Sequence, residues 1–234
     1  MRLDKFLSHA LQQSRKDVIK VIQDEKVVVN GVVIKKKDYY INEEIDVVYY
    51  DNNLITYRKF VYYMLNKPQG VVSAVKDEIS KTVVDLIKER KDVFPVGRLD
   101  KDTEGLLILT NNGTFAHKLT SPNYECEKTY FVQSSGMLSQ DNLKEFALGI
   151  EIKDQHNEIF KTAPAKIEEV EHNCYLVSIT EGKFHQVKRM FAYFGYDVLY
   201  LKRISHGGLM LDPSLQPGEY RELTDEEVLK LKDI

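Results

Sequence analysis

The sequence predicts an α+β protein with a small αα-β domain over residues 1–58 and a larger domain over residues 59–234. Three observations support this. Apolar residues recur at helical spacing in the first part of the chain. An Asn-Gly pair between two β-branched runs is typical of a hairpin. After residue 60, strand-like and helical runs are interspersed without a regular βαβ rhythm, which favours a mixed, mainly antiparallel sheet.

In the small domain, a first helix is predicted by apolar residues at helical spacing, namely Leu3, Phe6, Leu7 and Leu11. Ser14 is a candidate N-cap of a second helix, with Asp17 three residues further on. The run Val-Val-Val-Asn-Gly-Val-Val over 27–33 predicts a hairpin, and residues 45–50 predict another strand. Residues 51–59 are predicted to be a linker.

The larger domain shows strand-like and helical patterns along its length. The predicted strands are Val61–Leu65, Leu106–Thr110, Thr129–Gln133, Ala165–Val170 and Tyr175–Thr180. The predicted helices are Thr82–Glu89, Gln140–Leu148 and His185–Phe194, with Gly195 as a C-terminal stop and a last helix capped by Thr224 and Glu227.

Composition excludes a uniformly basic nucleic-acid binder. The chain has 234 residues, 43% hydrophobic and 29% charged, with a net charge of −3. Residues 1–60 hold eleven Lys/Arg and nine Asp/Glu, so they carry +2 and the remainder −5; an RNA site would therefore be a local patch. The sequence starts with no apolar leader pattern, has no run that could span a bilayer, and carries isolated cysteines at 126 and 174, so a cytoplasmic location is expected.

The most informative stretch is the charged turn Gly97–Gly105, which precedes the apolar run Leu106–Thr110. A charged loop that leads into a buried strand is a common position for catalytic side chains. Asp100 is our candidate catalytic carboxylate, with a basic partner supplied from elsewhere. A solvated surface turn is the alternative. A calcium loop is disfavoured, because the twelfth position is Asn111 rather than a bidentate Glu and a strand follows the turn.

A second motif, Glu181–Phe191, predicts a loop followed by a basic helix start. His185, Lys188 and Arg189 lie within one turn of each other. Cations at a helix start oppose the helix dipole, so a nearby carboxylate or phosphate would compensate them. The alternative is a solvated basic face. A metal site at His185 is disfavoured, since no second His or Cys stands at ligand spacing.

Further candidate positions are less specific. Lys67 follows a predicted strand within a Pro/Gly turn, and Tyr130 is either a core residue or a ring that faces a base. The two predicted N-terminal helices carry basic residues that could contact successive phosphates of an RNA backbone. These are Arg2, Lys5, Arg15 and Lys16. Ordinary surface positions are the alternative for these four.

Taken in order, these motifs resemble the bacterial pseudouridine synthases that modify ribosomal RNA. GRLDKDTEGLLILTNNG resembles the catalytic motif of that family, and LNKPQGVVS, EKTYFV and EGKFHQVKRMFAYFG resemble its flanking motifs. Residues 2–31 resemble a small RNA-binding domain found in a ribosomal small-subunit protein. YYMLNKPQG, ECEKTY and LQPGEYRELTDEE are most similar to the branch that acts on small-subunit 16S rRNA, at uridine 516. The branch that acts on 23S rRNA is the nearest alternative.

The resemblance implies an isomerase with a pseudouridine synthase fold and no cofactor or metal. It implies that Asp100 acts on a flipped-out uridine, as a nucleophile or as a base, and that Lys188 is its ion-pair partner where the wider superfamily usually has Arg.

The remaining candidate residues are expected to bind the substrate RNA. Tyr130 would stack on a base, Arg98 would hold a phosphate or fill the space of the flipped base, and Lys67 and His185 would contact the backbone; Arg189 is a further candidate. The expected partner is rRNA, bound by a monomer away from membranes. A non-catalytic rRNA-binding assembly factor is the rival from another class.

Overall fold

The computed structural model describes residues 1–11, 13–43, 45–56, 58–153 and 157–233. The chain divides into two compact units, Met1–Lys59 and Phe60–Ile234. Of the helices in the described ranges, none has the length and apolar character needed to cross a bilayer.

The first unit places two helices on a four-stranded antiparallel sheet. The helices are α1 (Leu3–Ala10) and α2 (Arg15–Gln23), and the strands are β1 (Val27–Val29), β2 (Val32–Val33), β3 (Val48–Tyr50) and β4 (Asn53–Ile55), in the order β2-β1-β3-β4. The predicted cap is present, since the Ser14 side chain accepts a hydrogen bond from the backbone N–H of Asp17. Helix and sheet side chains share one core, which includes Leu7, Ile22 and Val29.

Two tight turns set the register of this small sheet. Asn30 and Gly31 both have positive φ, 50° and 82°, as a two-residue hairpin loop with the right twist requires. Asp51 and Asn52 form a second such turn, with φ of 51° and 64°. The linker predicted over 51–59 is therefore wrong in its first half, because β4 pairs with β3. Tyr57 of that predicted linker lies outside the described residues.

The second unit contains the remaining elements. Its helices are α3 (Val83–Leu86), α4 (Gly113–Thr120), α5 (Gln140–Leu148), α6 (Gln186–Tyr193) and α7 (Asp225–Lys232), with a 3₁₀ turn at Pro122–Tyr124. Its strands are β5 (Tyr62–Lys67), β6 (Phe94–Pro95), β7 (Glu104–Thr110), β8 (Lys128–Ser134), β9 (Glu151–Lys153), β10 (Ile159–Lys161), β11 (Lys166–Glu171), β12 (Cys174–Ile179), β13 (Val198–His206), β14 (Leu209–Met210) and β15 (Tyr220–Glu222).

A nine-stranded mixed sheet forms the centre of the second unit, as predicted. The main order is β11-β12-β8-β13-β7-β5-β15, with β14 beside β13 and β6 beside β7. The pair β13–β7 is parallel, and the other pairs described for this sheet are antiparallel. Alternate residues of β7 enter two different cores, with Leu107 in one and Ile108 in the other, so this strand is buried on both faces.

The structure differs from the sequence prediction at one helix and at one strand. The helix predicted over Thr82–Glu89 covers only Val83–Leu86, because the backbone of Ile87 is already extended. The nine-residue strand β13 was not predicted, although it lies between β8 and β7 in the middle of the sheet. Both errors concern segments whose conformation is fixed by partners distant in sequence.

Candidate active site

The loop that carries Asp100 is fastened to the turn that follows β5. The Ser73 hydroxyl donates to the carbonyl of Leu99 at 2.8 Å and accepts from the Leu99 N–H at 3.0 Å. The N–H of Gly70 donates to the carbonyl of Lys101 at 2.8 Å. Because Leu99 is also buried, the backbone on both sides of Asp100 is held in place.

Lys67 has a role that the sequence did not reveal. Its side chain is fully buried, and its ammonium donates to the carbonyls of Thr103 at 2.8 Å and Pro68 at 3.0 Å. The predicted contact between Lys67 and an RNA backbone is therefore wrong, since this group has no access to a phosphate. Burial lowers the pKa of Lys67 to about 8. The residue instead ties the end of β5 to the end of the Asp100 loop.

Asp100 lies between two basic side chains. Its Oδ1 is 3.4 Å from Nε2 of His185, and its Oδ2 is 3.8 Å from Nζ of Lys188, with about a quarter (26%) of the Asp100 side chain exposed. Lys188 also contacts both carboxylate oxygens of Asp102, at 2.6 and 2.7 Å. That hydrogen bond lowers the pKa of Asp102, whose side chain is largely exposed. The structure thus brings the predicted partner Lys188 to Asp100, but a second carboxylate shares it.

Arg189 faces a different part of the surface. Its Nη1 donates to the carbonyl of Lys153, and its guanidinium carbon lies 5.2 Å from the centre of the Phe184 ring. Consecutive helical residues point about 100° apart, so the Arg189 side chain points away from Asp100 when that of Lys188 points toward it. The predicted substrate contact by Arg189 is therefore not supported at the Asp100 cleft.

The loop before α6 is braced by a polar pair that sequence reasoning missed. One oxygen of Glu181 accepts from the N–H of Ala163 at 2.8 Å and from the side-chain amide of Gln186 at 2.6 Å. The Gln186 oxygen accepts from the N–H of Lys183 at 2.9 Å. His185 then adopts a left-handed conformation, with φ of 51°, as the residue that caps α6. The sequence signal for this pair was a Glu and a Gln five residues apart, one at each end of the loop.

The cleft beside Asp100 is open enough for a nucleotide. A cavity of about 570 Å³ is lined by the Asp100 loop on one side and by residues 182–185 on the other. Its ionisable lining residues are Arg98, Asp100, Lys101, Lys183 and His185. Arg98 is exposed, and Tyr130, with 8% of its surface exposed, lines an adjoining pocket together with Asp100. Asp100, Arg98, Tyr130 and His185 are therefore neighbours in the structure.

The basic residues of the first unit differ in whether they form an ion pair or are exposed to solvent. Arg2 is paired with the buried carboxylate of Asp4, with 2.8 Å between Nη2 and Oδ2. Lys5, Arg15 and Lys16 are exposed on α1 and α2. Over the described ranges of both units, no three His, Cys, Asp or Glu side chains are grouped so as to hold a metal ion.

Comparison with known proteins identifies both units. A mixed sheet with a carboxylate between basic side chains, in a chain that also has a small unit with exposed basic residues on its two helices, suits the class of enzymes that act on RNA. Residues 61–193 match the RNA pseudouridylate synthase family, and residues 1–44 match the S4 domain. The chain belongs to the RNA pseudouridylate synthase family, and it is a pseudouridine synthase.

Full-length relatives support this assignment. An uncharacterized RNA pseudouridine synthase of Bacillus subtilis strain 168 is 42% identical, covering 100% of this chain and 99% of the relative. Ribosomal small subunit pseudouridine synthase A of Escherichia coli K12 is 40% identical, covering 97% and 98%. A crystal structure of a pseudouridylate synthase is 37% identical, covers 99% of both chains and superposes with a TM-score of 0.70.

Proposed function

We propose that this protein converts uridine to pseudouridine in 16S rRNA, at uridine 516, with Asp100 as the catalytic carboxylate. The observation that carries the proposal is the position of Asp100, in an open cleft between His185 and Lys188. Relatives named for small-subunit pseudouridine synthesis, with about 40% identity over nearly the whole chain, support the choice of RNA. An rRNA substrate would also place the protein in the cytoplasm.

The reaction breaks the bond between the ribose and N1 of uracil, and then joins the ribose to C5. The ring gains a proton at N1 and loses one at C5, so no redox step and no external group is involved. Asp100 could attack the sugar, attack the ring or remove a proton from the sugar. Each of these roles requires a carboxylate oxygen that is not already committed to a strong hydrogen bond.

The contacts of Asp100 meet that requirement better than those of Asp102. The nearest basic nitrogens lie 3.4 Å (His185 Nε2) and 3.8 Å (Lys188 Nζ) from Asp100, whereas Lys188 is only 2.6 Å from Asp102. Distances near 2.7 Å are those of strong charge-assisted hydrogen bonds, and contacts beyond 3.3 Å are mainly electrostatic. Lys188 therefore compensates the charge of Asp100, and the long contacts to His185 and Lys188 leave the oxygens of Asp100 accessible to a nucleotide.

The target uridine must leave its stack to reach this cleft, at a cost of a few kcal/mol. Tyr130 lies at the wall of the pocket that also contains Asp100, and a base stacked on its ring would recover about 1–3 kcal/mol. Arg98 is exposed at the mouth of the same pocket. A guanidinium there would hold a phosphate or occupy the space that the base has left.

The first unit would increase affinity without taking part in the chemistry. Lys5, Arg15 and Lys16 present exposed charges on two helices, which suit a phosphate backbone. A second binding site on the same chain raises the effective concentration of RNA at the catalytic unit.

Tritium release tests the proposal directly. Protein is incubated with 16S and 23S transcripts and with partly assembled small subunits, each labelled at C5 of uridine, and the modified position is mapped. We expect stoichiometric release from one site of the 16S rRNA. Release from 23S rRNA alone would establish the large-subunit alternative, and binding without any release would identify a non-catalytic assembly factor.

A further inference from the structure

A second cavity, of about 300 Å³, shares Tyr130 and Arg98 as lining residues with the pocket that contains Asp100. Three basic side chains from two neighbouring strands line it: Lys128 of β8, and Arg203 and His206 of β13. Arg203 and His206 have 2% and 0% of their surfaces exposed.

A β-bulge brings the three basic side chains and Tyr130 to one face of the sheet. Arg203 pairs with Tyr130 and His206 pairs with Lys128, and the register shifts between Arg203 and Ser205. Residues three apart in a regular strand would face opposite sides. The extra residue of the bulge returns His206 to the face of Arg203. The cluster is thus built by an irregularity of the central strands.

The cluster lacks partners for its buried donors. Nε of Arg203 donates to the carbonyl of Leu106 at 2.8 Å, but its buried Nη2 has no hydrogen-bond partner. Nδ1 of His206 is also buried without a partner, but it is an acceptor, because Nε2 donates to the carbonyl of Leu119 and burial lowers the pKa of the ring well below its ordinary value. Lys128 donates to the carbonyl of Cys126 at 2.6 Å, which leaves two further ammonium protons. An unsatisfied buried donor is unfavourable, most of all on a charged group, so the free Nη2 of Arg203 and the remaining ammonium protons of Lys128 indicate a missing acceptor.

The electrostatics of the cavity favour an anion. Within the described ranges, no carboxylate forms an ion pair with Lys128 or Arg203. Burial lowers the pKa of both Lys128 and His206, and the charge of Arg203 lowers each further. Glu181 is the acidic residue of the wall, and one of its oxygens already accepts two hydrogen bonds.

We propose that this cavity binds a phosphate group, namely a phosphodiester of the substrate RNA next to the uridine that enters the Asp100 cleft. A planar guanidinium with a free Nη2 and a neighbouring ammonium match the tetrahedral oxygens of a phosphate. Arg98 and Tyr130 line both cavities, so one nucleotide held at Tyr130 can place its base in the Asp100 pocket and its phosphate in the second cavity. The assignment rests on the proposed RNA substrate.

The test neutralises one phosphate of the RNA at a time. Oligoribonucleotides that contain a single methylphosphonate at successive positions around the target uridine are titrated against full-length Asp100→Asn protein, which separates binding from turnover. A methylphosphonate at one of these positions is expected to weaken binding by about 10-fold to 100-fold. In Asp100→Asn/Lys128→Gln, binding to unmodified RNA is weaker by a similar factor, and the same methylphosphonate has no further effect.

Two matched variants exclude a general loss of charge or of folding. Lys128→Arg keeps the charge and is expected to restore the sensitivity to that methylphosphonate. Lys144→Gln removes an exposed cation of α5, whose ion-pair partner is Asp141, and is expected to bind like its parent. The slope of log affinity against log salt should fall by about 0.7 for Lys128→Gln, the value for one phosphate on a single strand.

The outcomes separate this inference from the proposed function. If no methylphosphonate position loses its effect in Lys128→Gln, the phosphate site is refuted, whether or not the wild-type protein forms pseudouridine. Titration with inorganic phosphate forms a second arm. A Lys128-dependent site for the free ion, without a sensitive position in the RNA, would refute the assignment to the RNA backbone. A sensitive position in a protein that makes no pseudouridine would support the site and refute only the catalytic proposal.

Discussion

Nζ of Lys188 lies 2.6 Å from Oδ1 of Asp102 but 3.8 Å from Oδ2 of Asp100. The Lys188 ammonium therefore contacts two carboxylates, and its contact with the more exposed one, Asp102, is the shorter. Asp100 keeps a compensating charge within reach without a short hydrogen bond. This arrangement gives the two carboxylates different roles, which substitution can separate.

Asp100→Asn is expected to fold, to bind RNA and to lower single-turnover pseudouridine formation by at least about 1,000-fold, since an amide can neither attack nor accept a proton. Asp102→Asn is the matched control. It releases Lys188 toward Asp100 and should change the rate by less than about 10-fold. Tritium release from 16S rRNA measures both. Appreciable turnover by Asp100→Asn would remove that carboxylate from the mechanism.

Tyr130→Phe should retain most of the activity, because the proposed role of the ring is to stack on a base. Tyr130→Ala should lose about 1–3 kcal/mol of substrate binding. Binding and single-turnover rates are measured with the same transcript. A severe loss in Tyr130→Phe would show that the hydroxyl takes part in the reaction.

The double substitution Arg15→Gln/Lys16→Gln removes two exposed charges from the start of α2. We expect weaker RNA binding and a smaller dependence of affinity on salt, with an unchanged single-turnover rate at saturating RNA. Affinity is measured over a salt series, with Lys144→Gln as the control. A fall in the saturated rate would contradict the view that the first unit acts as a tether.

Lys67 gives a prediction about pH and stability. Burial lowers its pKa in the folded state to about 8, below the ordinary 10.5, so the unfolded chain binds more protons between these values. The contribution of Lys67 to stability should therefore rise as the pH increases from about 8 to 10.5, by on the order of 3 kcal/mol.

Urea denaturation of the wild-type protein and Lys67→Met over that pH range measures this contribution. The difference between their free energies of unfolding isolates the titration of Lys67, because the other groups are common to both proteins. A difference that does not change with pH would show that the folded-state pKa of Lys67 is not lowered. Lys67→Met should also be destabilised at neutral pH, since the carbonyls of Pro68 and Thr103 lose their donor.

Gly105→Ala tests the close approach of β7 and β13. Gly105 has φ of +103°, and a Cβ at this position would lie 2.2 Å from the carbonyl oxygen of Arg203. We expect a loss of about 2–5 kcal/mol in thermal or chemical denaturation. Gly113→Ala, at a helical position with open space, is the control and should stay within about 1 kcal/mol of the wild type. Equal stability of the two variants would contradict the described packing of these strands.

Local chemistry made much of the fold predictable. The Asn30-Gly31 turn, the Ser14 cap and the apolar run of β7 depend on neighbours in sequence, and each was identified from its pattern. Strand β13 was not, because its Lys202-Arg203 pair interrupts the apolar pattern. Those polar residues are tolerated in the sheet because Arg203 faces a cavity and donates to a carbonyl of β7.

The candidate site, like the fold, has features that the sequence predicts and features that depend on residues distant in sequence. The motif order indicated Asp100, Tyr130 and Lys188, which the structure brings to one region. The sequence did not reveal that Lys67 is enclosed by carbonyls, or that Asp102 competes for Lys188. Both depend on where backbone oxygens and a neighbouring carboxylate lie in space, and spacing along the chain does not specify these positions.

The sheet order has a consequence for synthesis on the ribosome. Strand β5 pairs on one side with β7 and on the other with β15, whose residues 220–222 are made about 150 residues later. Until β15 emerges, the backbone of β5 presents an open edge to other nascent chains. The catalytic unit therefore completes its sheet only late in translation, and a chain that stops before residue 220 should aggregate or bind a chaperone instead of accumulating as a native fragment.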